Sequence, residues 1–291
     1  MKLASENRNK GKGQHYVPAC YLANFGTDGN KGRDSKVYFI NKRELKLNCS
    51  NVESFPKENC FYDIDTLDEK KHAVDDMYTR MEGEYSTLLK KLIGLVILEP
   101  SERVNQKVLL SKDDKGELAA HLSMQITRTR AFRDRIQGIY QQIKDGFPWA
   151  PIPSYTDKDF RRVHIGVLLG TNSMHFFANM FEDRNWVFYI NHTDVPFFTS
   201  DNPIIAIDYA SHDSSPKSAA HPMLGYYFPL TPQIAIGFFD KKKLCCDMCY
   251  MDIYKEEDIV GYNGELLRQS TRFIFSNTDF RTIKCLMRRA E

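Results

Sequence analysis

From residue 185 the chain reads NWVFYINHTDVPFFTSDNPIIAI (185–207), and this stretch decides the fold. Residues 186–190 are aromatic and β-branched, as a strand requires, and 197–199 and 204–207 repeat that composition. Thr199, Ser200, Asp201 and Asn202 carry short polar side chains that bond nearby backbone, so a turn is expected there. Pro203 pushes Asn202 out of the helical region and reinforces it.

Working outward, residues 226–230 and 234–239 form another strand pair around Thr231-Pro232, and 249–253 a further strand. A helix is expected over 256–270 and a last strand over 272–275. Towards the N-terminus the period lengthens to three or four. Val74, Met77, Met81, Tyr85, Leu88 and Leu92 mark a helix over 68–94. Further helices are expected over 115–144 and 157–182, the latter capped by Thr156 or Asp157. A β-hairpin pairs 37–40 with 45–47. The expectation is an α+β fold, with helices covering one face of a largely antiparallel C-terminal sheet. Residues 1–13 read as a disordered tail and 14–291 as one domain, helical over about 68–182 and sheet over about 185–276. The Ser-, His- and Pro-rich loop 208–222 reads as mobile.

Composition excludes several classes. Of the 291 residues, 42% are hydrophobic and 27% charged, ordinary values for a globular protein. The net charge of +2 is too balanced to argue for nucleic acid on charge alone. No apolar run is long enough to span a membrane, and no signal-peptide core is present, so a cytoplasmic location is expected. Seven cysteines without framework spacing read as reduced thiols. Cys245, Cys246 and Cys249 lack a second ligand pair, so no metal site is assigned to them. A dinucleotide fingerprint, a P-loop and a nucleophile elbow are all absent.

Several residues carry candidate chemistry. His15 stands just before a short helix opened by Pro18, where the helix dipole favours a neutral imidazole that can act as a base. Gln125, Arg128 and Arg135 fall on neighbouring faces of one helix, with His121 a turn before Gln125. Guanidinium groups so placed suit phosphate. Glu82 reads as a paired carboxylate. His164 and His175 read as core or half-buried histidines.

Three separated segments carry a family resemblance. His15-Tyr16-Val17-Pro18 followed by Tyr21-Leu22-Ala23-Asn24-Phe25, then Gln125…Arg128-Thr129, then Phe197 to Pro203 together with Phe228 to Pro232, resemble the bacterial domain of unknown function family 4238. Arg130 stands where that family has proline, so the helix is expected to continue through it. The resemblance implies that His15, Gln125, Arg128, Asp201 and Asn202 form a set. On that basis the protein is expected to be a nuclease of a bacterial defence or toxin type. His15 would act as acid or base, Arg128 would stabilise phosphate charge, and Asp201 would orient the histidine or hold a metal. Gln125, Asn202, Ser200 and Tyr16 would bind substrate, RNA for a metal-independent cut; a divalent metal is the alternative cofactor. The competing expectation is a non-catalytic protein that binds a nucleotide or other anion, or a protein partner, with the same residues as a structural polar network.

Overall fold

The computed structural model describes residues 13–54, 57–59, 61–62, 73–97, 108, 110–208 and 224–280. The expected tail, up to residue 12, and the 208–222 loop, from residue 209, lie outside them. In chain order the elements are β1 (Gly13–His15), α1 (Ala19–Leu22), β2 (Lys36–Asn41), β3 (Lys46–Asn51), β4 (Lys57–Asn59) and α2 (Ala73–Val96). Four helices follow: α3 (Lys112–Thr127), α4 (Arg130–Gly146), α5 (Asp157–Leu169) and α6 (Thr171–Glu182). Then come β5 (Asn185–Asn191), β6 (Thr199–Ser200), β7 (Ile205–Asp208), β8 (Leu224–Pro229), β9 (Ile234–Phe239), β10 (Cys249–Ile253), α7 (Glu256–Gln269) and β11 (Phe273–Ser276). The fold is α+β, as expected.

The C-terminal strands divide between two sheets instead of forming one meander. Five strands run in the order β10-β5-β9-β8-β7, and four in the order β3-β2-β11-β6. The hairpin β2–β3 thus joins the second sheet through β11. All pairings are antiparallel except β10 with β5. Strand β5 is buried along its whole length because both faces of its sheet are covered. Trp186, Phe188 and Ile190 join the core shared with α2, α3, α5 and α6, while Val187 and Tyr189 join the core of Ile259 and Leu266 on α7. This corrects the expectation that helices cover one face. Gly237 of β9 is required by packing, since a Cβ there would lie 2.6 Å from the Phe239 ring and 2.8 Å from Tyr189.

Two expected helices are each broken in two. The 157–182 helix stops at Gly170, whose extended ψ of 113° opens α6. The 115–144 helix stops at Thr129, whose extended backbone (ψ 158°) separates α3 from α4. The Thr129 hydroxyl donates to the Ile126 carbonyl at 3.1 Å and accepts the Phe132 N–H at 3.2 Å. One buried side chain therefore closes one helix and caps the next. Arg130 occupies the first position of α4, where proline is favoured, so the break survives without proline. Side chains cap two other helix starts: Ser111 caps α3, and Thr156 pairs reciprocally with Asp159 on α5.

α1 is tied to both sheets through Tyr21. Its hydroxyl lies 2.7 Å from Thr199 Oγ1 on β6 and donates to the Pro229 carbonyl on β8 at 2.7 Å. The ring stacks on Phe228 at 5.0 Å. Tyr21→Phe keeps the ring and leaves both buried oxygens short of a partner. It is expected to lower stability by about 1–3 kcal/mol, read as a shift of the urea midpoint at unchanged slope.

Candidate functional site

Helix α3 enters the protein interior and remains there. Every residue from His121 to Thr129 is buried. Helices in such surroundings are normally apolar all round, yet this segment carries His121, Ser123, Gln125, Thr127 and Arg128. Most of these polar groups are satisfied locally. Ser123 and Thr127 donate their hydroxyls to carbonyls of the preceding turn. The carbonyls freed by the helix break are taken by His164 Nε2, 2.7 Å from Thr127 O, and by the Tyr62 hydroxyl, 2.9 Å from Arg128 O. Arg133 holds the other His164 nitrogen at 3.2 Å, so His164 is a satisfied core histidine, as expected; burial pushes it down to about 4. His175, in contrast, is exposed.

Arg128 is 4% exposed and its charge is held from several sides. Glu82 Oε1 on α2 accepts from its two terminal nitrogens at 3.1 and 3.2 Å. The His15 backbone carbonyl accepts at 2.5 Å, and the Tyr78 ring lies 4.2 Å below the guanidinium. Burial works against the charge, but Tyr62, Glu82 and Tyr78 outweigh it and raise the Arg128 pKa above its usual value. The guanidinium is therefore engaged in an ion pair. Its Nε nonetheless has no hydrogen-bond partner among the described residues.

The remaining expected site residues separate into three places. His15 meets Arg128 only through its backbone; its Nε2 donates to the Glu53 carbonyl at 2.9 Å. Tyr16 is buried, its ring 5.4 Å from Phe61. Asp201 is wholly buried, and its two oxygens accept the N–H groups of Thr271, Arg272 and Phe273 at 2.9, 2.7 and 3.1 Å. It joins the end of α7 to β11. Ser200 exchanges hydrogen bonds with the Asn202 backbone, and Asn202 Nδ2 donates to Gln269 O at 3.2 Å. Gln125 and Arg128 alone share a cleft.

That cleft, about 230 Å³, lies between α2 and α3 and is lined by Pro18, Tyr78, Met81, Glu82, Tyr85, His121, Met124, Gln125 and Arg128. Its enclosed part has room for about one water molecule. Gln125 is 1% exposed, and among the described residues neither its Oε1 nor its Nε2 has a partner. The Tyr85 hydroxyl, also buried, likewise has none. The Tyr85 ring stacks on His121 at 5.0 Å and 26°. Burial pushes His121 down to about 4, so its imidazole is neutral at neutral pH. Exposed Glu84 and Glu117 and the cleft-lining His121 bring one ligand atom each within 4.8 Å of one another.

Sequence reasoning placed Tyr85 in the apolar seam of α2, correctly for its ring, and left Glu84 and Glu117 unmarked. The four-residue step from Glu117 to His121 to Gln125 was the available signal, since it aligns the three on one helix face. Cys245, Cys246 and Cys249 form no three-ligand group among the described residues. A second cleft lies across the α3–α4 junction, lined among others by Thr129, Arg135, Asn202, Tyr226 and Gln269. The segments singled out in the sequence thus meet pairwise around the junction: the first and middle at one cleft, the middle and third at the other.

These features define an α+β protein with a buried polar seam on a central helix. The chain belongs to the family described as "Protein of unknown function (DUF4238)", whose model matches residues 13–280. No curated protein and no solved structure matches it. Among the described residues no helix is long and apolar enough to cross a membrane.

Two consequences are measurable. Glu82→Ala leaves the Arg128 charge buried without its carboxylate and is expected to cost about 3 kcal/mol in chemical denaturation, with Glu82→Gln costing less. For Asp201, burial pushes the carboxyl up to about 6, against the pull of the three N–H donors and Lys42. The folded state then holds this proton more tightly than the unfolded state, so stability falls as pH rises from about 4 to 6 and levels off above. Asp201→Asn is expected to remove that fall while lowering stability at every pH, because an amide nitrogen cannot accept an N–H.

Proposed function

We propose that this protein binds a small polar ligand, or the end group of a larger one, in the cleft between α2 and α3. The observation that carries the proposal is the Gln125 carboxamide, a buried donor and acceptor that none of the described residues satisfies. A buried polar group without a partner costs about 1–3 kcal/mol, and native proteins rarely retain one without use. Its neighbours Ser123 and Thr127, equally buried, turn back to their own helix, so burial alone does not account for Gln125.

The matching ligand presents a paired donor and acceptor, as the edge of a nucleobase or a carboxamide does. Arg128 Nε and the Tyr85 hydroxyl supply further polar contacts at the walls. Phosphate is a poorer match here, because Glu82 already balances Arg128. The anion-binding expectation therefore narrows to recognition of a neutral edge. The phosphodiesterase reading through His15, Arg128 and Asp201 has less support, since both Asp201 oxygens are committed to backbone donors.

Thermal-shift and calorimetric titration with nucleobases, nucleosides, nucleotides and simple amides tests the proposal. A matching ligand is expected to stabilise the protein by about 2.7 kcal/mol at one hundred times its Kd. Gln125→Leu is expected to abolish that response while raising the stability of the free protein by about 1 kcal/mol. A ligand response retained in Gln125→Leu would count against the cleft. Incubation with RNA, single-stranded DNA and duplex DNA, with and without magnesium, provides the parallel test of cleavage. Degradation by the purified protein that His15→Ala abolishes would favour the nuclease reading instead.

A further inference from the structure

His121, on the wall of the cleft, takes part in a second arrangement that ligand recognition by Gln125 does not use. Glu117 and His121 sit one turn apart on α3, a spacing that puts both side chains on one face, and Glu84 faces them from α2. One atom from each, two carboxylate oxygens and an imidazole nitrogen, lie within 4.8 Å of one another. Among the described residues neither carboxylate has an ion-pair partner. The nearby lysines of the two helices are committed elsewhere, Lys91 to Asp114 at 2.6 Å and Lys115 to Asp247 at 2.9 Å.

An acidic pair beside a histidine is common on protein surfaces, and a second observation distinguishes this one. The Gln125 carboxamide and the Tyr85 hydroxyl, 1% and 3% exposed, line the same cleft as His121 without partners among the described residues. Gln125 lies one turn beyond His121, and Tyr85 stacks on the imidazole itself. His121 thus links the carboxylates of Glu84 and Glu117 to a cleft lined by unsatisfied hydrogen-bonding groups.

We infer that Glu84, Glu117 and His121 bind one first-row divalent cation of the zinc type. An imidazole with two carboxylates suits zinc, manganese or iron(II), whereas magnesium and calcium prefer oxygen ligands alone. Zinc–ligand bonds of about 2.0–2.2 Å put neighbouring ligand atoms roughly 3.4 Å apart in a tetrahedral site. The required closure is about an ångström, within reach of rotamer changes in the two exposed glutamates. Three protein ligands leave a coordination position open, and Gln125 and Tyr85 line the cleft that His121 shares. The cation balances the two carboxylates. The inference shares the cleft with the ligand-binding reading and deepens it, since the metal gives an electron-pair donor on the ligand a second anchor.

The test uses the metal alone. Chelator-treated full-length protein is titrated with zinc chloride in a calorimeter and with cobalt(II) followed by visible absorption. The expected result is uptake of one equivalent, with the d–d absorption of four- or five-coordinate cobalt and no thiolate charge-transfer band. Glu84→Gln and Glu117→Gln, both at exposed positions that leave the core intact, are expected to weaken binding at least about 10-fold, and Gln125→Leu to weaken it less. Absence of uptake would overturn the inference. So would uptake unchanged by both glutamate substitutions, or a thiolate band that disappears when Cys245, Cys246 and Cys249 are replaced by serine. Metal binding as described without any organic ligand would remove the ligand reading alone. An organic ligand that depends on Gln125, without metal uptake, would remove this inference alone.

Discussion

A buried guanidinium at the end of the central helix organises the surrounding structure. Arg128 cannot lose its charge, so the fold must surround it with compensation. Glu82 reaches it from α2, the Tyr78 ring lies beneath it, and the His15 carbonyl closes over it from β1. Two segments far apart in sequence, β1 and α2, are thereby pinned to one atom group at the end of α3. The same junction must satisfy the carbonyls released where α3 ends, and His164 and Tyr62 are recruited for that. The direction of α4, and with it the position of α5, follows from these commitments and from the double use of Thr129.

A rigid junction explains why both clefts flank it. Polar groups in a packed interior are either fully satisfied or held in place by neighbours that are. Thr129, His164 and Arg133 are of the first kind, and Gln125 is of the second, fixed one turn before them on a helix that cannot rotate to relieve it. A group that is both unsatisfied and immobile is preorganised for binding, with little entropy left to lose.

Much of the fold was legible because its signals are local. The Thr156 cap, the aromatic strands from residue 186 onward and the seam of α2 are all written in spacing. What was not legible depended on distant partners. The break at Thr129 lacks a proline, and its cause is a hydroxyl shared between two turns, with carbonyls capped by Tyr62 and His164. The division into two sheets depends on β11 returning to β2, which no local pattern announces. For the site, Gln125 and Arg128 were read correctly as neighbours on a helix face. Asp201 was grouped with them because short polar residues in a strand-ending turn look alike whether they bind a ligand or, as here, hold the backbone of residues 271–273. Tyr85 was hidden by its own ring, which counts as apolar in any periodicity.

The place of β11 between β2 and β6 has a consequence for how the chain is made. The N-terminal hairpin is synthesised early, yet its open edge has no partner until the last described strand has left the ribosome. Tyr21 likewise waits for Thr199, 178 residues later. Pairings this far apart in sequence close large loops and form slowly. During translation β2 therefore presents an unpaired edge for as long as some 230 residues take to emerge, at about 5–20 residues per second. An interrupted chain leaves that edge bare, open to another nascent copy and a natural target for chaperones and proteases.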